Sequence, residues 1–187
     1  MKIRPMAGFT LVETMITISV AAILMAIGVP SFRYVTNSNR IAAEINGLLG
    51  DLQFARAEAI KEGRTITACV SQDGLTCQNS TTWNSGWIVF QDFNANGTVD
   101  AALGETILRV RSPFTGTDTF TATNNVKAIT FNRQGYAAGI PNGTLMQLHD
   151  STSNVNWARC LIVNLNGMMS SIKSGQVTNS TPPVTCT

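Results

Sequence analysis

The sequence predicts an α+β protein, a long amino-terminal helix packed on a mainly antiparallel β-sheet head. Three observations carry that expectation. The apolar run from Thr14 to Phe32 holds 19 residues without a charge before Arg33. As a helix rising ~1.5 Å per residue it would cross most or all of a bilayer core. Beyond it, Ile41, Ile45, Leu48, Leu52, Ala55 and Ala59 recur at intervals of four and three. They lay an apolar stripe along a helix whose other face carries Arg40, Glu44, Asp51, Arg56, Glu58 and Glu62. After Gly63 the pattern turns to short runs rich in Ile, Val, Thr, Phe and Trp between Gly, Asn, Asp and Pro clusters.

A helix over 10–62 would be about 80 Å long, its first half suited to lipid or to identical helices and its second half to packing on a sheet. Gly28 and Pro30 interrupt it near the end of the apolar part, where a lost N–H donor favours a kink or a loosened turn. Arg40 and Glu44 are spaced for an i,i+4 pair worth a few tenths of a kcal/mol. Gly63 terminates the helix, with Lys61 in its last turn. Strands are expected over 65–70, 86–91, 105–111, 126–132, 143–148, 157–164 and 168–172. Ser71 to Asn84 is expected to be a disulfide-clamped loop. Ser112 to Asn125 reads as a loop with little to pack, and Ser174 to Thr187 as a weakly structured tail.

The chain carries 13 basic and 11 acidic side chains, a balance that gives no global electrostatic reason to bind nucleic acid. Cys69, Cys77, Cys160 and Cys186 allow three pairings if all are bridged. For a head outside the cytoplasm, the local pairs Cys69 to Cys77 and Cys160 to Cys186 are the economical choice. Zinc would need closer ligand pairs than these spacings provide.

The opening Gly8-Phe9-Thr10-Leu11-Val12-Glu13, after a leader bearing Lys2 and Arg4, resembles the class III signal of type IV prepilins and type II secretion pseudopilins. The resemblance implies a leader over residues 1–8, a transmembrane and filament-core helix over 9–32, and a periplasmic head over 33–187. That head would be helical to about 62, β-rich over 64–175 and closed by a tail over 176–187. It implies that prepilin peptidase cuts between Gly8 and Phe9 and that the new terminus is methylated. It also implies that Glu13 serves assembly; a bend at Gly28 and Pro30 would suit filament packing, while a single-span helix also tolerates Pro near its end. An ionised Glu13 beside an apolar segment is costly unless a cation meets it, and the freed amino terminus of Phe9 on a neighbouring copy is such a cation. The leader charges favour an amino terminus on the cytoplasmic side of the inner membrane, with the remainder outside.

Asp92, Asn94, Asn96, Gly97 and Asp100 resemble the opening of a calcium loop, but Leu103 occupies the twelfth position where a bidentate acid belongs. A polar hairpin turn capping its own backbone is the stronger reading. The stretch from Gly86 to Asp100 also resembles the core signature of the GspH/FimT pseudopilin family. His149 and Asp150 are adjacent, so on a strand they face opposite ways, and no nucleophile turn accompanies them. No cofactor motif is present in the sequence, and no enzyme is expected.

Some members of the GspH/FimT family bind DNA through a carboxy-terminal glycine-arginine-any-arginine pattern. The corresponding stretch here, Asn166-Gly167-Met168-Met169-Ser170-Ser171-Ile172-Lys173, keeps the glycine and lacks both arginines. Arg109, Arg111, Arg133, Arg159 and Lys173 are the remaining nucleic-acid candidates, with scattered strand-edge charges as the favoured reading. Trp87 and Trp157 are expected to pack inward and Trp83 to offer a surface contact. The resemblance therefore implies a minor pilin that initiates or caps a type IV pilus, with other major and minor pilins or pseudopilins as partners. The alternatives are a type II secretion minor pseudopilin and a DNA-binding minor pilin of natural transformation.

Overall fold

The computed structural model describes residues 8–152, 154–177, 183, 185 and 186. The chain divides into two compact units, one ending at Asn39 and the other beginning at Arg40. The helix α1 (Leu11–Glu62) contributes to both and runs through Gly28 and Pro30 without a break. Its end is a Schellman closure: Gly63 adopts φ +66°, which costs glycine nothing, and the Arg64 N–H donates to the Ala59 carbonyl at 3.2 Å.

In the first unit the apolar side chains of α1 are exposed, and an 18-residue window of mean hydropathy 2.1 has none of its residues buried. Hydroxyls in its apolar run turn back on their own helix. Thr14 donates to Thr10 O, Thr17 to Thr14 O and Ser19 to Met15 O. Each of these three hydroxyls is thus satisfied inside the helix, which lowers its cost in hydrocarbon.

The second unit is the head. All strand pairs are antiparallel and form two sheets where one was expected. Sheet A has the order β3 (Ile107–Arg111), β2 (Trp87–Gln91), β1 (Ile66–Val70), β5 (Ala128–Phe131), β6 (Ala137–Ala138). Sheet B has the order β4 (Thr119–Ala122), β7 (Thr144–His149), β8 (Arg159–Val163), β9 (Met169–Lys173). The stripe Ile41, Ile45, Leu48, Leu52, Ala55 and Ala59 comprises the buried residues of α1. It joins inward residues of both sheets, among them Val89, Phe131, Phe120, Met146 and Leu161, in one core.

The opposite face of each sheet carries a smaller apolar cluster, and each cluster holds a disulfide. Cys69–Cys77 lies with Ile88 and Phe90, and Cys160–Cys186 with Leu145 and Ile162. Asp73 organises the first disulfide loop. Its carboxylate accepts hydrogen bonds from the Thr76 hydroxyl, the Leu75 and Thr76 amides and the Ser71 hydroxyl, which hold its pKa well below the usual carboxylate range. The second disulfide holds Cys186 beside the turn after β9, where Cys186 exchanges backbone hydrogen bonds with Gly175 and Gln176.

Three expectations are corrected. The stretch Ser112 to Asn125 contains β4, anchored by the fully buried Phe120, and the two-residue β6 also escaped the sequence pattern. Trp83 is fully buried in the main core, its indole N–H donating to Val126 O at 3.3 Å, at the start of a short 3-10 turn over Trp83–Ser85. Trp87 packs inward as expected and Trp157 is half-buried. Arg40 reaches across the fold to Asp118, at 2.7 and 2.8 Å, instead of pairing with Glu44.

Candidate functional site

The amino-terminal segment has defined local chemistry. Thr10 is the N-cap of α1. Its hydroxyl oxygen accepts the Glu13 amide at 3.2 Å, and its carbonyl accepts the Thr14 amide at 3.2 Å. Thr10-Leu11-Val12-Glu13 has the spacing of a capping box, so Glu13 sits in the first turn, where the helix dipole favours a carboxylate. Phe9 and Leu11 stand exposed on either side of the cap. Gly8 and Phe9 precede the helix, and Gly28 and Pro30 lie within it. The sequence contained this signal in the Thr10 to Glu13 spacing, which the reading of Glu13 as an assembly charge overlooked.

Within the head, the polar face of α1 supplies three clamps. Asp51 accepts hydrogen bonds from the Trp87 indole at 3.0 Å and from Arg109 at 2.8 Å, and the Arg109 guanidinium lies 3.8 Å from the centre of the Phe54 ring. Arg40 forms its two-point pair with Asp118, whose side chain is fully buried. Arg56 donates to Gly135 O at 2.9 Å and to Asn166 O at 3.5 Å. It thereby ties the turn after β5 to the turn after β8. These turns abut, because a Cβ on Gly167 would collide with Gly135 O. Such long-range partners leave no local trace in the sequence.

Glu44 lies beside the Arg40–Asp118 pair, and one of its carboxylate oxygens is buried without a hydrogen-bond partner among the described residues. Burial first, then the Asp118 charge and a hydrogen bond with Asp118, push its pKa up to about 7, against the opposing pull of Arg40 and Arg111.

The nucleic-acid candidates occupy separate places. Arg109 and Arg111 on β3 lie against α1, with Arg111 packed over Gly47 and 5.8 Å from the Trp87 ring centre. Arg133 lies in the turn after β5, while Arg159 and Lys173 are cross-strand partners in sheet B. The family-pattern glycine, Gly167, serves the turn packing just described.

In the calcium-like loop, buried Asp92 accepts the amides of Asn96 and Gly97 and the Thr67 hydroxyl. The side-chain amides of Asn94 and Asn96 both donate to Asp100. Glu105 accepts the Phe93 and Asp100 amides. These carboxylates are occupied by N–H and O–H donors, and no group of three or more metal-ligating His, Cys, Asp or Glu side chains occurs among the described residues. His149 and Asp150 do not cooperate: Asp150 accepts the Thr152 hydroxyl and the Asn154 amide in its own turn.

A cap followed by an exposed apolar helix, whose second half is buried in a disulfide-bonded antiparallel head, sets the terms for comparison with known proteins. A family model described as type II transport protein GspH matches residues 44–167, more than half of the chain. The chain belongs to the GspH family. A second model, the prokaryotic N-terminal methylation motif, matches residues 3–29 of this GspH-family chain. No curated protein sequence matches it. Two crystal structures of the Pseudomonas aeruginosa type IV minor pilin FimU share the fold. The first has a TM-score of 0.57 and 21% identity, covering 80% of this chain and 98% of the other. The second has a TM-score of 0.55 and 22% identity, covering 76% and 98%. As a GspH-family member the chain is a minor pilin or pseudopilin, a structural subunit and not an enzyme. Its amino-terminal helix is long and apolar enough to cross a membrane, and membership of the family implies assembly with other pilin- or pseudopilin-type subunits.

Proposed function

We propose that this subunit is a minor pilin that helps initiate or cap a type IV pilus after prepilin peptidase cuts between Gly8 and Phe9. The observation that carries the reading is the amino-terminal segment: Gly8-Phe9 outside the helix, Thr10 capping it, Glu13 in the first turn and a fully exposed apolar surface beyond. An exposed apolar helix of this kind is stable in lipid or among other such helices. In the assembled filament, Glu13 compensates the freed, methylated amino terminus of Phe9 on a neighbouring subunit, and the helix around Gly28 and Pro30 packs against its neighbours.

The pilus is favoured over a secretion pseudopilus by the Cys160–Cys186 closure of the tail, which resembles the disulfide-closed tail common among pilins, and by the fold shared with FimU. A type II secretion pseudopilin is the second reading, supported by the description of the matching family. A DNA-receptor role has the weakest support, since Arg109 and Arg111 lie against α1, Arg133 is in the turn after β5, and only Arg159 and Lys173 are neighbours, in sheet B.

Intact-mass measurement of the membrane-extracted protein tests the processing. The expected product starts at Phe9 and carries one methyl group, whereas an intact Met1 or cleavage beyond Ala22 overturns it. Deleting the gene and counting surface fibres then separates the two assemblies: loss of pili supports the first reading, and loss of secretion with pili intact supports the second.

A further inference from the structure

The end of the head around the C-terminus of α1 combines features that the core and the clamps do not use. A cleft of about 590 Å³ opens there, lined by Gly63, Arg64, Phe93, Asn132, Arg133 and Gln134 among others, with no acidic side chain in its wall among the described residues. The Arg64 guanidinium is laid over the Phe93 ring at 4.7 Å. Neither Arg64 nor Arg133 has a carboxylate partner among the described residues. Beside the cleft, the two abutting glycine turns present Tyr136, Leu165 and Met168 to solvent, and the exposed Ile60 side chain meets Gly135. Arg56 bonds both turns, so this surface rests on a fixed backbone.

Two uncompensated guanidinium groups beside exposed Leu, Ile, Met and Tyr side chains call for an occupant that brings negative charge and apolar area together. A protein segment has that chemistry. A nucleic-acid backbone would leave the aliphatic side chains wet and would find few cations. We infer that this end of the head is a docking surface for a neighbouring pilin-type subunit. It takes an Asp or Glu carboxylate of that neighbour between Arg64 and Arg133 and apolar side chains against Ile60, Leu165 and Met168. The inference rests on the assembly role proposed above and adds the surface and the chemistry of the contact.

The test places a benzophenone photo-cross-linking residue at Tyr136 or Leu165 of the full chain in cells that build the filament, with Leu75, in the Cys69–Cys77 loop, as the control position. The expected result is a cross-link from positions 136 and 165 to another pilin-type subunit, identified by mass spectrometry. Its yield should fall roughly tenfold or more in the R64E/R133E double variant and persist in R64K/R133K. Non-reducing gels showing both disulfides, with an unchanged unfolding midpoint, establish that the reversed variant is folded. An undiminished cross-link in R64E/R133E overturns the charged contact. Absence of a cross-link from 136 and 165, while assembly still depends on the subunit, overturns the surface and leaves the assembly role standing. Cross-linking to nucleic acid overturns the choice of partner. If deleting the subunit alters no filament or secretion, the assembly role itself fails.

Discussion

Glu44 couples the stability of the head to pH near neutrality. Its pKa is about 7 in the folded protein against 4.5 unfolded, so between these values the native state holds the proton more tightly. Stability contributed by the protonated form is complete below about pH 4.5 and is lost as pH rises through 7. Solvent screening of a half-buried carboxyl reduces the effect to about 1 kcal/mol. Glu44→Gln is expected to flatten the slope between pH 5 and 8 and to stabilise the head by about that amount at pH 8, measured by urea unfolding. Gly167 offers a second residue-scale prediction. With φ +74° and Gly135 O in the way of any Cβ, Gly167→Ala should destabilise the head by about 2 kcal/mol or more. In the sequence, Gly167 was visible only as the remnant of a DNA-binding pattern. Its structural reason depends on a turn far away in the chain, as do those of Arg40 and Asp118, which are 78 residues apart.

At the scale of elements, α1 was the most legible, because its buried side follows a strict helical spacing and Gly63 marks its end. Six predicted stripe residues are the six that are buried. Leu48→Ala removes one of them from beneath both sheets and should cost about 2–5 kcal/mol, read from the shift in the urea midpoint. The strands β4 and β6 were not legible. In β4 only Phe120 is fully buried, amid Thr-rich sequence that also suits a loop, and β6 is too short to show alternation. The cysteines allowed three pairings, and the structure has the two local ones. A Cys160→Ser/Cys186→Ser pair releases a closure spanning 26 residues and should cost about 3 kcal/mol by the chain-entropy account, measured by thermal unfolding.

At the scale of the whole molecule, the sequence conveyed a helix and a β-rich head but not how the strands divide. The central strands have apolar inward faces, the edge strands β3 and β9 bury no residue fully, and nothing local states which sheet a strand joins. The main core contains no residue before Ile41. A fragment beginning near residue 34 is therefore expected to unfold in one cooperative transition with both disulfides formed, as judged by circular dichroism and non-reducing mass analysis. The amino-terminal segment was legible for a different reason: its residues form a contiguous motif, so no folding was needed to bring them together.

The three clamps from α1 have a mechanical consequence. Arg40, Asp51 and Arg56 hold Asp118, the Trp87–Arg109 pair and the two glycine turns from successive positions on one rod. A tensile load arriving along α1 would strain these attachments side by side, in shear, together with the apolar stripe between them. Contacts loaded in parallel share the force and yield together, whereas contacts loaded in series open one at a time. The head is thus fastened to its helix in the manner that best resists being drawn off it.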